Sequence, residues 1–379
     1  MAFTDSSSVS AVRSGDFPAF YSLAVIADSD HPEKLYDQTL QRAIQGEVWP
    51  QHLSQAVLPG AYPPYVAFVL RPLAWFGPVV GRVVWSLVSV CCLLLAVYKI
   101  AELSPYLKER KVELTAAAFS FMPLLVGVVG GQTVAFSAAV YGVLLSLTHH
   151  TECRERVSQR RLGLFAGLWL FKPQYALVVL LLLLVSRRWW AVACFAAVSV
   201  VCYFVGAFAM GLSWPLEWLS FSAQFAEMNF ASNSHQMTNL VGAVRQLIQV
   251  GILTGPSEYA TLLAGVSSLA VVGIWLWWAS QVSLYQALLV LAPILAVATP
   301  QANFYDLGLC FFPLVLLYGV RERGSWCCLL GVWGVAAWAS AARSGEQLPW
   351  FALLAVGVLA LISWRVLIGR RINRFFVPS

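Results

Sequence analysis

The sequence predicts an all-α membrane protein that crosses the bilayer many times, and three observations support this fold class. Hydrophobic residues make up 59% of the 379 residues and charged residues only 11%, whereas soluble domains contain about 25% charged residues. The mean hydropathy is accordingly high, at +0.72. Apolar runs such as 262–280 and 350–364 recur along nearly the whole chain and approach the length that a helix needs to cross hydrocarbon. We expect roughly 11 or 12 transmembrane or half-membrane helices.

Charge and cysteine usage exclude two other classes of protein. The formal net charge is +6, but the cations form short clusters between apolar runs instead of one basic face, which argues against a nucleic-acid partner. None of the eight cysteines lies in a CxxC pattern or at a Cys/His ligand spacing. The sequence therefore predicts neither a metal site nor a disulfide framework.

The cationic clusters predict the topology, because loops rich in Lys and Arg remain in the cytoplasm. Five loops are of this kind: 99–111, 149–161, 186–190, 321–324 and 369–376. The segments between the first three must then be hairpins whose tips, "GGQT" at 130–133 and "FKPQ" at 171–174, lie outside. The arms of these hairpins are short, about 11 to 17 residues, which indicates thinned or broken helices.

The first part of the chain is harder to place. Segment 80–98 is predicted to span from outside to inside, whereas 62–77 contains Arg71 and three prolines and is interpreted as a half-membrane element on the outer side. This divides the chain into an extracytoplasmic N-terminal loop over 1–61 and a transmembrane domain over 62–379. The latter carries a long outer loop at 212–258.

Uncharged polar and ionisable side chains gather on the predicted outer face. They are Asp16, Gln132, Lys172, Gln174, Asn229, Asn233, His235, Asn239, Arg245, Gln301, Asn303 and Asp306. An ionisable group at membrane depth costs roughly 2.5 to 3.5 kcal/mol on insertion scales, so Lys172 needs a partner, and a phosphate would suit it.

Asp16 precedes the run "FPAFYSLAVIA", whose spacing of apolar residues predicts an amphipathic helix that is too short to span and lies in the outer interface. An aspartate in front of such a helix has two interpretations. It caps the helix, with Pro18 in the first turn, or it performs chemistry. Sequence physics alone favours the cap.

Seven stretches occur in the order found in one enzyme family. They are "GDFPAFYSLA", "KLYD", "AYPPYVAFVLRPLAWF", "GGQTVAFSAAVYGVLLSL", "AGLWLFKPQYALVVLLLLLVSRRWW", "NSHQMTNLVGAVRQL" and "ATPQANFYDLGLCFFPLVLL". Over roughly residues 15–320 the chain resembles glycosyltransferase family 87, GT-C-fold membrane enzymes that include polyprenyl-phosphate-mannose-dependent mannosyltransferases. Each stretch is weakly specific alone, and the shared order carries the resemblance.

The resemblance implies a function. The family transfers a sugar, with mannose favoured, from a polyprenyl-phosphate donor to a glycolipid or glycan acceptor on the extracytoplasmic face of the plasma membrane, with inversion. It implies no cofactor, because the lipid-linked donor is a substrate. The match of Asp16 to the family's first-loop aspartate makes it the expected general base. Family members place a transmembrane helix before this aspartate, whereas fifteen polar residues precede it here, so we take the orientation from the later loops.

The remaining candidates have competing interpretations. Lys172, Arg245 and Arg71 are candidates for the donor phosphate, although Lys172 would snorkel, Arg245 would meet solvent or lipid and Arg71 would anchor its own segment in the alternative. Substrate contacts are expected from Gln132, Gln174, His235, Tyr305 and Asp306, of which the last two would otherwise cap a helix.

Two other functions compete with this one. A lipid-linked oligosaccharide ligase or polymerase would use His235 and Arg245 in the outer loop, but Asp16 ahead of all spans and the "KPQ" hairpin argue against it. A secondary transporter would show internal repeats and polar groups at the midplane, which this sequence lacks.

Overall fold

The computed structural model describes residues 15–48, 58–149, 155–254, 257–318, 330–338 and 349–369. These residues form helices joined by short turns, and among them the one β-type pairing is an isolated bridge between Met237 and Asn303. The predicted all-α fold is therefore confirmed.

The α-helices of seven or more residues with bounds inside the described ranges are numbered in chain order. The first eight are α1 (Phe17–Ala27), α2 (Gln38–Val48), α3 (Pro64–Leu70), α4 (Gly77–Ala101), α5 (Lys111–Ser120), α6 (Met122–Val129), α7 (Val134–His149) and α8 (Arg156–Gly167). The next eight are α9 (Pro173–Val185), α10 (Trp189–Met210), α11 (Trp214–Asn233), α12 (Leu240–Gln249), α13 (Ser257–Ala279), α14 (Leu284–Ala298), α15 (Phe311–Tyr318) and α16 (Trp350–Gly369). Residues 330–338 are also helical.

Four of these helices are long and apolar enough to cross a membrane, namely α4, α10, α13 and α16. Helices α5 and α6 pass the same test together but meet at an angle of 73°, which makes a broken span or a re-entrant loop. Five further apolar elements are shorter: Phe17–Ala27, Val134–His149, Pro173–Val185, Leu284–Ala298 and Phe304–Tyr318. A multi-pass membrane protein is confirmed, although most of its apolar elements are shorter than a full span.

Proline residues explain where the short elements break. Helix α5 ends at Ser120 and α6 begins one residue before Pro123, which cannot continue the hydrogen bonding of a preceding helix. Helix α8 passes into a 3₁₀ turn, Leu168–Phe171, before Pro173 starts α9. The broken helices predicted for both hairpins are present. The tip 130–133 lies in the turn after α6, whereas 171–174 run from the end of the 3₁₀ turn into the first turn of α9.

Helix α1 differs from its prediction. Every residue of this helix except Val25 is buried, so its predicted amphipathic character is wrong. Phe17 and Phe20 pack with Leu73 and Trp85, which are side chains of the predicted transmembrane domain. An apolar helix enclosed on almost all sides by other helices gains burial on both faces, and this removes the need for a polar face.

The predicted outer loop 212–258 is also largely helical. Helices α11 and α12 occupy most of it, separated by a 3₁₀ turn at Ser234–Gln236. The Asn239 side chain accepts a hydrogen bond from the amide of Gly242 and caps α12. The high density of polar residues in this segment predicted a loop, whereas many of these residues lie on the exposed faces of α11 and α12.

The largest core lies among α7, α9, α14 and the 3₁₀ helix Phe304–Cys310. Helix α14 is buried along almost its whole length. The Tyr141 hydroxyl in α7 donates to the Leu288 carbonyl of α14 at 2.7 Å. This packing fixes the end of α7 and the chain after α14, and both carry candidate site residues.

Candidate active site

Asp16 is held by its backbone against the "GGQT" turn. Its amide donates to the Gly130 carbonyl at 2.8 Å. Gly15 has a φ of +52°, and a Cβ at this position would lie 2.1 Å from the Gly130 carbonyl oxygen. Only glycine permits this close approach, so the local sequence Gly15-Asp16 is what lets the aspartate sit on the turn.

The Asp16 side chain points to the same turn instead of to its own helix. Asp16 occupies the N-cap position of α1, but its carboxylate makes no capping hydrogen bond. It accepts a hydrogen bond from the Gln132 amide nitrogen instead, and Gln132 is itself buried. The capping interpretation of this carboxylate is therefore wrong, and Gln132 contacts the expected base.

Arg82, from the predicted outer end of α4, is the nearby cation. Its guanidinium lies over the Phe17 ring at 5.5 Å from the centroid and donates to the Val129 carbonyl. Desolvation raises the pKa of the Asp16 carboxyl to about 6, and the positive charge of Arg82 opposes this rise. A carboxylate with a pKa near neutrality is suited to take a proton and release it again.

A second charged group lies close by, where the two other predicted segments meet. The Lys172 ammonium donates to Asp306 at 2.5 Å, and the two side chains are only 7% and 2% exposed. Asp306 also accepts from the Asn303 amide in a capping box at the start of its helix. Lys172 thus does not snorkel to an interface. Asp306 belongs to a capping box, as one interpretation of the sequence expected, and also pairs with Lys172, which the sequence did not predict.

Two tyrosines interact electrostatically with both Asp16 and Asp306. Burial raises the pKa of the Tyr62 hydroxyl, and the carboxylates of Asp306 and Asp16 both add to this rise. Tyr305 also lies within electrostatic range of both carboxylates, and the Lys172 ammonium lies 5.7 Å from its ring centroid. Hydrogen bonds, ring contacts and electrostatic interactions thus link seven side chains, which we call the polar cluster: Asp16, Tyr62, Arg82, Gln132, Lys172, Tyr305 and Asp306.

Other predicted residues lie outside the polar cluster. Arg71 donates to Asp28 at 2.7 Å, and Arg245 makes a two-point contact with Glu227 at 2.7 and 3.0 Å. Neither arginine contacts the polar cluster, although sequence assigned both to the donor phosphate.

The last two predicted residues differ in how they are placed. Gln174 lies half-buried in the first turn of α9, two residues from Lys172. His235 lies in the turn between α11 and α12, with its ring beside Gln236. Within the described residues no group of three or more His, Cys, Asp or Glu side chains is arranged to hold a metal ion.

Sequence reasoning missed Arg82 and Tyr62. Arg82 had a signal, since an arginine inside the apolar run 77–101 is costly and calls for a function. No sequence pattern pointed to Tyr62, because its hydroxyl is brought to the site by a 3.3 Å contact with Thr133, which lies 71 residues later in the chain.

Breaking the buried Lys172–Asp306 ion pair should destabilise the protein. Lys172→Met should lower the free energy of unfolding by about 3 to 5 kcal/mol, because it leaves Asp306 buried without its cation. The double variant with Asp306→Asn should recover most of this loss. As a control, Arg71→Met breaks a more exposed pair and should cost about 1 kcal/mol or less. Thermal unfolding in detergent measures all three, and a Lys172→Met protein as stable as the wild type would contradict the pairing.

One comparison with known proteins identifies a family for this chain. The sequence profile described as glycosyltransferase family 87 matches residues 61–304, well over half of the chain. Searches of curated proteins and of solved structures each gave no significant match. The matched range includes Tyr62, Arg82, Gln132 and Lys172 and ends just before Tyr305. The chain belongs to glycosyltransferase family 87.

Proposed function

We propose that the protein transfers a sugar, with mannose favoured, from a polyprenyl-phosphate donor to a hydroxyl of a glycolipid or glycan acceptor, and that Asp16 is the general base. Family membership makes the protein a membrane glycosyltransferase. The observation that carries the finer proposal is the Asp16 carboxylate. It makes no capping bond, it accepts from Gln132, and its pKa is raised to about 6.

The proposed chemistry is a single displacement. Asp16 takes the proton of the acceptor hydroxyl as its oxygen attacks the anomeric carbon. The bond from that carbon to the phosphate oxygen breaks, and the lipid phosphate leaves with the electron pair. In-line attack inverts the configuration of the sugar. This proposed reaction requires no nucleotide, metal or other cofactor, because the lipid phosphate is itself the leaving group.

Lys172 is the proposed contact of the donor phosphate. It is the one of the three predicted cations that lies in the polar cluster, and Asp306 takes one of its three N–H donors. The remaining donors suit phosphate oxygens, and a charge-assisted contact strengthens as the phosphate gains charge. Arg71 and Arg245 are weaker candidates, because each pairs with a carboxylate outside the polar cluster, Asp28 and Glu227 respectively.

The predicted substrate contacts are proposed to have three roles. Gln132 orients the base, since its side-chain amide N–H already donates to Asp16. Gln174, two residues after Lys172, and Tyr305, whose ring centroid lies 5.7 Å from the Lys172 ammonium, are proposed to meet the sugar and phosphate. His235 is proposed as an acceptor contact at the turn after α11.

The side of the membrane follows from the cationic loops. The polar cluster is built from the chain around residues 16, 62, 82, 132, 172 and 306, all of which the loop charges assign to the extracytoplasmic side. We propose that the enzyme acts there, in the plasma membrane. The competing ligase or polymerase would need Arg245 for its substrate, and the pairing of Arg245 with Glu227 gives it no support.

Asp16→Asn tests the base. Incubation with radiolabelled polyprenyl-phosphate-mannose and a membrane lipid extract should give labelled product with the wild type. The variant should react at least about a hundredfold more slowly, because an amide cannot take the proton. Asp37→Asn is the matched control: Asp37 also precedes a helix, but its carboxylate caps it, and asparagine caps about as well. Transfer by Asp16→Asn at the wild-type rate would remove Asp16 from the mechanism.

The raised pKa of Asp16 predicts how the rate of sugar transfer depends on pH. Below about pH 6 the carboxyl is protonated and cannot act as a base, so kcat/KM should fall as the pH is lowered through 6 and level off above it. An ordinary aspartate would place this limb near pH 4. A measured limb near pH 4, or the same limb in the residual activity of Asp16→Asn, would show that another group controls the rate.

Thiol labelling tests the proposed side. In a protein without reactive native cysteines, Gln236→Cys lies on an exposed turn and should react with a membrane-impermeant reagent in intact cells. Lys108→Cys, on the predicted cytoplasmic loop 99–111, should react only after permeabilisation. The opposite pattern would place the active site in the cytoplasm.

A further inference from the structure

Arg82 is a cation inside an apolar helix, and no carboxylate among the described residues makes a hydrogen bond with it. Helix α4 is one of the four helices long and apolar enough to span, and a charge within such a helix is costly. Lys172, Arg71 and Arg245 each donate to a carboxylate, whereas Arg82 donates to the Val129 carbonyl. Its Nη1 atom is buried and has no hydrogen-bond partner among the described residues.

The contacts of Arg82 lie on the two chain segments that hold Asp16. The guanidinium lies over Phe17, the residue that follows Asp16. It donates to Val129, the last residue of α6, and its Nη1 packs against Gly131, where a Cβ would lie 2.2 Å away. Gly131 has a φ of +72°, a backbone conformation that favours glycine, and a Cβ there would push the Arg82 guanidinium out of its present position.

These three contacts belong to the same segments that hold the aspartate. The Asp16 amide bonds to Gly130, between Val129 and Gly131, and Gln132 follows to donate to the carboxylate. Trp85, one helical turn after Arg82, donates its indole N–H to the Gly131 carbonyl at 2.8 Å. One face of α4 therefore fastens the turn that carries both contacts of Asp16.

The charges around Asp16 also single out Arg82. The groups that face the carboxylate are Gln132 from the turn, Tyr62 from the chain before α3, Tyr305 after α14, and Arg82 from α4. The first three are neutral side chains at working pH, and Asp306 has its own cation in Lys172. Arg82 is the cation whose charge acts on the carboxylate.

We propose that Arg82 is a positioning residue for Asp16: it fastens the 129–132 turn and the start of α1 around the carboxylate and places its guanidinium there as the neighbouring cation. The catalytic consequence rests on the proposed function, in which Asp16 is the base. The placement itself is independent of any substrate.

Infrared titration of Asp16 tests the placement without an activity assay. The protonated carboxyl signal is identified as the band lost in Asp16→Asn, and its midpoint should lie near pH 6 in the wild type. Arg82→Gln removes the charge and should raise the midpoint by about one pH unit or more. Arg110→Gln removes a charge from the predicted cytoplasmic loop and should leave the midpoint unchanged. An unchanged midpoint in Arg82→Gln would overturn the proposal.

Arg82→Lys distinguishes the effect of the charge from the effect of the guanidinium contacts. It also tests the proposal if the Arg82→Gln variant does not fold. An ammonium keeps the charge but cannot contact Val129, Phe17 and Gly131 together. The midpoint should stay within about half a pH unit of the wild type while sugar transfer falls at least about tenfold. Wild-type transfer by Arg82→Lys would overturn the positioning role. If Arg82→Gln shifts the midpoint but the wild type transfers no sugar from any polyprenyl-phosphate donor, the placement stands and the proposed function fails.

Discussion

The cost of placing charge among apolar helices governs this structure. Asp16, Arg82, Lys172 and Asp306 all lie where helices pack, and each would be expensive there if left alone. The chain compensates Lys172 and Asp306 directly with a 2.5 Å ion pair. It compensates Asp16 less completely, with one side-chain hydrogen bond and a neighbouring cation, and its pKa remains raised. The incompletely compensated carboxylate is the group that we assign to proton transfer.

Short and broken helices provide the room for these charges. A continuous transmembrane helix satisfies its own backbone and presents mainly side chains along its length, whereas a broken one exposes polar turns at membrane depth. The turn after α6 supplies the Gly130 carbonyl and the Gln132 amide to Asp16, and the turn before α9 supplies Lys172. The glycines at 15 and 131 let backbone and guanidinium approach where a side chain would block them.

Several parts of this arrangement could be predicted from the sequence. Hydropathy gave the fold class, and short apolar runs with proline and glycine between them predicted the broken hairpins. Loop charges placed Asp16, Gln132, Lys172 and Asp306 on one face, and the structure brings these four together. The partners could not be predicted, because Lys172 and Asp306 are 134 residues apart and no periodicity relates them.

The errors have physical reasons as well. Helix α1 looked amphipathic because its apolar residues recur at helical spacing, but α3 and α4 pack against it, and its polar Ser22 donates to the Ala19 carbonyl within the helix. Arg71 and Arg245 looked like free cations because their carboxylates, Asp28 and Glu227, were not recognisable as partners. Arg82 was overlooked because one charge does not alter the hydropathy of a 25-residue helix.

A structure of Asp16→Asn with bound polyprenyl-phosphate-mannose would test the central claim most directly, since the variant should hold the donor without consuming it. The donor phosphate is predicted to lie beside Lys172. The anomeric carbon should face residue 16 across a gap that admits one acceptor hydroxyl, at about 3 to 3.5 Å from the attacking oxygen. A donor bound at the opposite ends of the helices, near the 99–111 loop, or a sugar turned away from residue 16, would contradict it.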